Sequence, residues 1–258
     1  MVNLKKYNTL LQHFVLFLTL LAFVSCGQQK IYVSKVKGKQ ISINKSISEV
    51  AAIENYVKPY RDSIDKDLSA VLAFAPQTID KSGQSQSPMG NLLSDVTLEL
   101  GNPVFNSREK KSIDVCLLNH GGIRTIISKG DITARTAFEV MPFENSLVVV
   151  GLKGTDITTI ASYIIKEKKP HPLAGMTFTI GKDNLPKDIL VQGKPVDPNK
   201  IYYVGTSDYL SNGGDNMSFF KNGVERYDLN YKLRNILIDY FKKVETIPLI
   251  NDVRISVE

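Results

Sequence analysis

The 258-residue chain is 43% hydrophobic and 22% charged, a balance that excludes disorder as its main state, which needs fewer apolar and more like-charged residues. The length suffices for one substantial core or two small ones. The formal net charge of +6 comes from basic residues interspersed with acids, apart from the short stretches 108–111 and 166–169, so no nucleic acid is expected as a partner.

The chain opens with the pattern of an export signal. Lys5 and Lys6 precede an apolar run from Phe14 to Val24, broken only by Thr19; the run is too short to span a bilayer and has the length of a signal core. Phe23-Val24-Ser25-Cys26 follows at its end and resembles a bacterial lipobox, in which the cysteine is diacylated and becomes the mature N-terminus. A plain signal peptide with an incidental cysteine is the other way to read it. The expectation is a lipoprotein signal over residues 1–25 and a single domain over 26–258, exported and held by lipid on Cys26 at the periplasmic or cell-surface face of a bacterial membrane. Removing the two signal lysines lowers the formal charge from +6 to +4, which weakens any nucleic-acid reading further.

Beyond the signal the apolar spacing alternates between helical and strand periods. Ile53, Tyr56, Val57, Tyr60, Ile64 and Leu68 predict a helix kinked at Pro59. Ala70 to Ile79 predicts a strand ending near Pro76, and Met89, Leu92, Leu93, Val96 and Leu100 a helix stopped by Gly101-Asn102-Pro103. Ile113 to Leu118, apolar except for Asp114, predicts a buried strand. Its Cys116 is expected to be an inert thiol: no histidine or basic residue adjoins it to lower its pKa, and with Cys26 lipidated it has no disulfide partner. Ser146 to Leu152 predicts another strand, followed by a helix with Thr155 as N-cap and Ile157, Ile160, Ala161 and Ile164 inside. Short strands are predicted at Met176 to Ile180, Ile189 to Gln192 and Tyr202 to Val204. Leu229, Leu233, Ile236, Leu237, Tyr240 and Phe241 predict a last helix, and Val253 to Val257 a closing strand. No repeat or linker interrupts this part, so the fold class is mixed α/β, one domain of mixed sheets packed with helices.

Three loops carry residue types suited to a ligand. Asn119-His120-Gly121-Gly122-Ile123-Arg124 follows a buried strand; its glycines let a ligand approach the backbone, and Arg124 offers a fork matched to phosphate or carboxylate. A glycine pair there also serves as a plain turn. Met141-Pro142-Phe143-Glu144-Asn145 presents an aromatic ring and an amide on a proline-stiffened loop, although a core phenylalanine beside a turn asparagine has the same letters. Thr206 to Asp215 adds Tyr209, a second flat face, and after Gly213 and Gly214 the Asp215 carboxylate, an acceptor for two vicinal hydroxyls. All three lie at strand ends, where α/β proteins gather ligands, and their parts are complementary.

Asn119-x-Gly-Gly-x-Arg124, Gly130-x-Ile132-Thr133, Pro142-Phe143-x-Asn145 and Asp208-Tyr209-x3-Gly213-Gly214-Asp215, in this order, resemble the C-terminal domain of the 5'-nucleotidase / UDP-sugar hydrolase family. The resemblance runs from about Ser87 to Tyr240. It implies a base held between Phe143 and Tyr209, Asn145 as a base contact, Asp215 as the ribose contact and Arg124 as a phosphate contact. Asn119, Gly121 and Gly122 would shape the loop beneath the ligand. Tyr209 stands where phenylalanine is usual, Asn216-Met217 replace a glycine-aromatic pair, and Asn91 occupies a helix position that is arginine in some members.

The family's metallophosphatase motifs, Asp-x-His, Gly-Asn-His-Asp/Glu and Gly-His-x-His, are not found in this sequence. Past the signal the only histidines are His120 and His171, too few for a two-metal site. The expectation is therefore that this chain has no catalytic residue and no cofactor of its own. A nucleotide or nucleoside is its ligand, and any divalent metal belongs to a separate metallophosphatase chain. A stand-alone, non-catalytic binding lipoprotein is the alternative.

Overall fold

The computed structural model describes residues 4–24, 32–44 and 46–258. The chain divides into two compact units, Met1–Ala51 and Ala52–Glu258. In the first, the apolar run lies on helix α1 (Leu4–Val24), and residues 32–44 have no regular secondary structure. Among the described residues no helix is long and apolar enough to cross a membrane. Cys26, the expected lipidation site, lies outside the described residues.

The second unit runs, in chain order, through α2 (Ala51–Leu68), β1 (Val71–Ala75), α3 (Pro88–Glu109), β2 (Val115–Leu117), β3 (Gly130–Thr133), α4 (Ala134–Val140), β4 (Ser146–Lys153), α5 (Gly154–Glu167), β5 (Leu173–Ala174), β6 (Met176–Ile180), β7 (Pro186–Val191), β8 (Lys194–Pro195), β9 (Ile201–Ser207), α6 (Asp208–Ser211), β10 (Glu225–Lys232), α7 (Leu233–Lys243) and β11 (Ile255–Val257). Its centre is a five-stranded sheet in the order β10-β4-β9-β2-β5. β2 and β9 are parallel; the other neighbours are antiparallel.

Residues on β4 point alternately to opposite faces, as the two-residue period of a strand requires. Leu147 and Val149 join the cluster formed with Leu92 and Phe105 of α3 and Leu237 and Phe241 of α7. Val148, Val150 and Leu152 join the opposite cluster, with Ile157, Ile160 and Ile164 of α5 and with Phe219 and Phe220. Helices cover both faces, which is why this strand is an almost unbroken apolar run. A second sheet, β11-β6-β7-β8, adds Met176, Phe178 and Val191 to the α5 side. β1 pairs with β3. The buried Cys116 belongs to the α3 cluster, and burial pushes its thiol up and out of reach of ionisation.

Four predicted features are corrected. α3 does not stop at Gly101-Asn102-Pro103; it continues through Pro103 to a left-handed Lys110 at φ 58°. Gly101 serves packing instead, since a Cβ there would meet Leu147 Cδ2 at 2.5 Å, and Asn102 Oδ1 accepts the Ile113 amide at 3.0 Å. Phe105, fully buried on the extra turns, offsets the cost of about 3 kcal/mol for an internal proline. Thr155 is not the N-cap of α5: Lys153 occupies that place without a side-chain cap, and the Gly154 amide is satisfied by Lys200 O at 3.0 Å. Leu229 belongs to β10; standing one helical turn before Leu233, it mimics the stripe of α7. The strand predicted to reach Ile79 ends at Ala75, and Ile79 forms only an isolated bridge to Ile127. α2 forms as predicted and passes through Pro59, but none of its residues is buried.

Candidate ligand-binding site

β2 and β9 run parallel, and β4 lies antiparallel beside β9. The C-terminal ends of β2 and β9 and the start of β4 therefore share one edge of the sheet, and the loops attached to them meet there. Between these loops lies a cavity of about 390 Å³, lined by Asn119, Gly121, Gly122, Arg124, Phe143, Asn145, Tyr209 and Asp215. Gly213 and Gly214 do not line it but lie between Tyr209 and Asp215, which do. Gly213 takes the left-handed conformation at φ 88°, and Gly214 lies under the Tyr209 ring, whose carbons a Cβ would meet at 2.5 Å. Asn91 is buried on α3, with its amide donating to Asp252 O at 3.3 Å, and does not line the cavity.

The first loop leaves β2 as a tight turn in which the Gly122 amide donates to Asn119 O at 3.1 Å. A Cβ on Gly122 would meet Asn119 Oδ1 at 2.8 Å, so glycine there frees the Asn119 side chain to reach across to Asp215. The Arg124 amide is anchored on Val140 O at 2.9 Å. Its guanidinium donates to Gly121 O at 3.4 Å and lies 5.8 Å from the centre of the Phe143 ring, within reach of cation–π attraction.

Phe143 and Tyr209 are 45% and 47% exposed, although aromatic rings of this size normally fill cores. The Phe143 loop is held from beneath. Lys232 Nζ donates to Glu144 O at 2.6 Å, and the Leu233 amide donates to Asn145 O at 2.9 Å. Arg234, buried, stacks 4.1 Å from the Phe138 ring centre and pairs with Glu144.

Asp215 has a partner at every polar atom. Asn119 Nδ2 donates to Oδ2 at 2.6 Å, and Tyr209 Oη donates to Oδ1 at 2.9 Å. Its amide donates to Tyr209 Oη at 3.2 Å, and its carbonyl accepts from Tyr163 Oη at 2.7 Å. Its φ of 49° is left-handed, a conformation aspartate tolerates better than most residues. Burial raises the Tyr163 phenol to about 12, so it stays a donor.

Under the first loop His171, almost fully buried, accepts the His120 amide on Nδ1 at 3.3 Å. Its proton therefore sits on Nε2, which is buried without a partner. Burial holds this imidazole neutral, its pKa lowered to about 4, and burial also lowers that of His120. While it accepts the His120 amide and carries its proton on Nε2, His171 has no lone pair left for a metal. Among the described residues no three His, Cys, Asp or Glu side chains converge as a metal ion would require. The bracing roles of Tyr163, His171 and Arg234 are not legible in the sequence, because each lies outside the loop it braces.

The fold is thus a mixed α/β domain, its sheet sandwiched by helices, with a polar-aromatic cavity at the edge where its strand ends meet. The chain belongs to the 5'-nucleotidase, C-terminal domain family, whose pattern matches residues 66–222. It is similar to protein UshA of Yersinia enterocolitica, with 32% identity over 111 residues, 42% of this chain and 20% of UshA. It is also similar to the 5'-nucleotidase of Rattus norvegicus, with 23% identity over 234 residues, 81% of this chain and 41% of that protein. The fold matches a 5'-nucleotidase precursor from Thermus thermophilus with a TM-score of 0.66 at 24% identity, over 80% of this chain and 42% of that one. The chain thus spans less than half the length of each of these relatives.

Proposed function

We propose that this chain holds the nucleotide or nucleoside in a 5'-nucleotidase-type phosphoester hydrolase of nucleotide catabolism, acting with a separate metallophosphatase chain. The observation that carries this reading is the convergence of eight residues from three separate loops on one cavity. Phe143 and Tyr209 stack the base, each offering a half-exposed face. Asn145 bonds the base edge, Asp215 accepts from the ribose, and Arg124 meets the phosphate with a planar fork. Asn119, Gly121 and Gly122 shape the loop beneath the ligand, and Gly213 and Gly214 set the wall behind Tyr209. Membership of the family, and similarity to proteins named 5'-nucleotidase, support the hydrolytic context.

The work of this chain in such a reaction is to bind and orient; the divalent metal that activates water is assigned to the partner. The expected outcome is phosphate release from AMP with manganese only when the purified chain is mixed with a lone metallophosphatase chain encoded beside it. A silent mixture contradicts the partnership, and saturable binding without turnover leaves the stand-alone binding lipoprotein. Residues 1–25 are assigned as a lipoprotein signal and Cys26 as the lipidated residue, which would put the protein on the outer side of a bacterial inner membrane or at the cell surface. A Cys26→Ser variant should then move from the membrane fraction to the soluble one; retention in the membrane contradicts the anchor.

A further inference from the structure

A carboxylate has about four lone-pair sites, two on each oxygen. In Asp215 one site on each is already taken: Asn119 Nδ2 donates to Oδ2 at 2.6 Å and Tyr209 Oη to Oδ1 at 2.9 Å. The bond to Tyr209 is fixed in both directions, because the Asp215 amide donates back to Tyr209 Oη at 3.2 Å. The hydroxyl thus spends its single proton on the carboxylate and its acceptor on the backbone of the same residue. The Tyr163 bond to the Asp215 carbonyl and the close seat of the Tyr209 ring on Gly214 leave the pair little freedom. What remains open is one acceptor site on each carboxylate oxygen, side by side at the cavity wall.

We propose that Tyr209 is a specificity-determining residue as well as a stacking face: its hydroxyl holds Asp215 so that the two free acceptor sites match a vicinal diol, and the cavity selects ribonucleosides over 2'-deoxyribonucleosides. Resting on the nucleoside-holding function proposed above, this role deepens it. A phenylalanine at position 209 would keep the stacking ring and release Oδ1. The carboxylate then turns about its χ2 bond, and its two acceptors no longer meet two hydroxyls together. Stacking and diol recognition are in this way coupled through a single side chain, which a ring without the hydroxyl does not achieve.

The test is a calorimetric titration of wild type, Tyr209→Phe and Asp215→Asn with adenosine, guanosine, cytidine and uridine and the 2'-deoxy form of each. Circular dichroism melting checks that each variant folds. The wild-type protein should favour the ribonucleoside, and the ribo-to-deoxy affinity ratio should fall about tenfold in Tyr209→Phe, the size of a hydrogen bond to a charged group. Asp215→Asn should lose the same preference, and a Tyr209→Phe/Asp215→Asn double variant should lose no more than Asp215→Asn alone, because both act on one contact. A ratio in Tyr209→Phe equal to that of wild type overturns the specificity role while leaving nucleoside binding in place. Wild-type protein that binds none of the eight compounds overturns the nucleoside reading and this role together.

Discussion

His171 shows how a single buried side chain can set the acid stability of the loop above it. It must stay neutral to accept the His120 amide at Nδ1, and burial lowers its pKa from 6.5 to about 4. Between these values the unfolded chain binds a proton that the folded chain does not, so stability rises with pH. The contribution is complete above about pH 6.5 and lost as pH falls to about 4, at most about 3 kcal/mol. The charged and titratable groups acting on it, Glu167, His120, Lys169 and Asp215, act with mixed signs and less strongly than burial. The melting temperature of wild type should therefore drop through this window, and the drop should be shallower in a His171→Gln variant, even if that variant is less stable at pH 7. Equal acid slopes would count against His171 as the titrating group. At this scale the sequence revealed the side chains that line the cavity, since they stand in short loops with glycine or proline. It did not reveal the bracing roles of His171 and Tyr163, which act from other parts of the chain, nor that the Tyr209 hydroxyl is bonded to Asp215.

Elements proved legible where local pattern and tertiary packing agree. β6 runs over the residues predicted for it, and α5 buries its predicted inner face. They were not legible where burial outweighs local preference. α3 crosses Pro103 because Phe105 has a core site to fill, and β10 was hidden because Leu229 falls in phase with the stripe of α7. The junction of β10 and α7 matters for the site, since Lys232, Leu233 and Arg234 all bind the Phe143 loop from below. Arg234 combines a stacked face on Phe138 with a bond to Pro142 O at 3.4 Å. Replacing it by methionine keeps the packed stem but removes the planar charge, a loss of about 1 to 2 kcal/mol. Amide exchange at residues 143–145 should accelerate and nucleoside affinity should fall several-fold, with the rest of the fold as protected as before. Unchanged exchange in that loop would refute the bracing role.

At the scale of the whole molecule, strand order turns three distant loops into one site. The parallel pairing of β2 with β9 and the antiparallel pairing of β4 with β9 bring residues 119–124, 141–145 and 209–215 to the same sheet edge. The sequence could place each loop at a strand end; it could not place those ends together, because pairing order is set by long-range packing. The central claim is that this cavity holds a nucleoside between Phe143 and Tyr209, and the most direct measurement is a titration of the same nucleosides and their 5'-monophosphates into wild type and a Phe143→Ala/Tyr209→Ala double variant. Base stacking is worth about 1 to 3 kcal/mol per aromatic face, so the wild-type protein should bind saturably and the folded double variant should lose at least about thirtyfold in affinity. Undiminished binding in the double variant would contradict the assignment of the cavity.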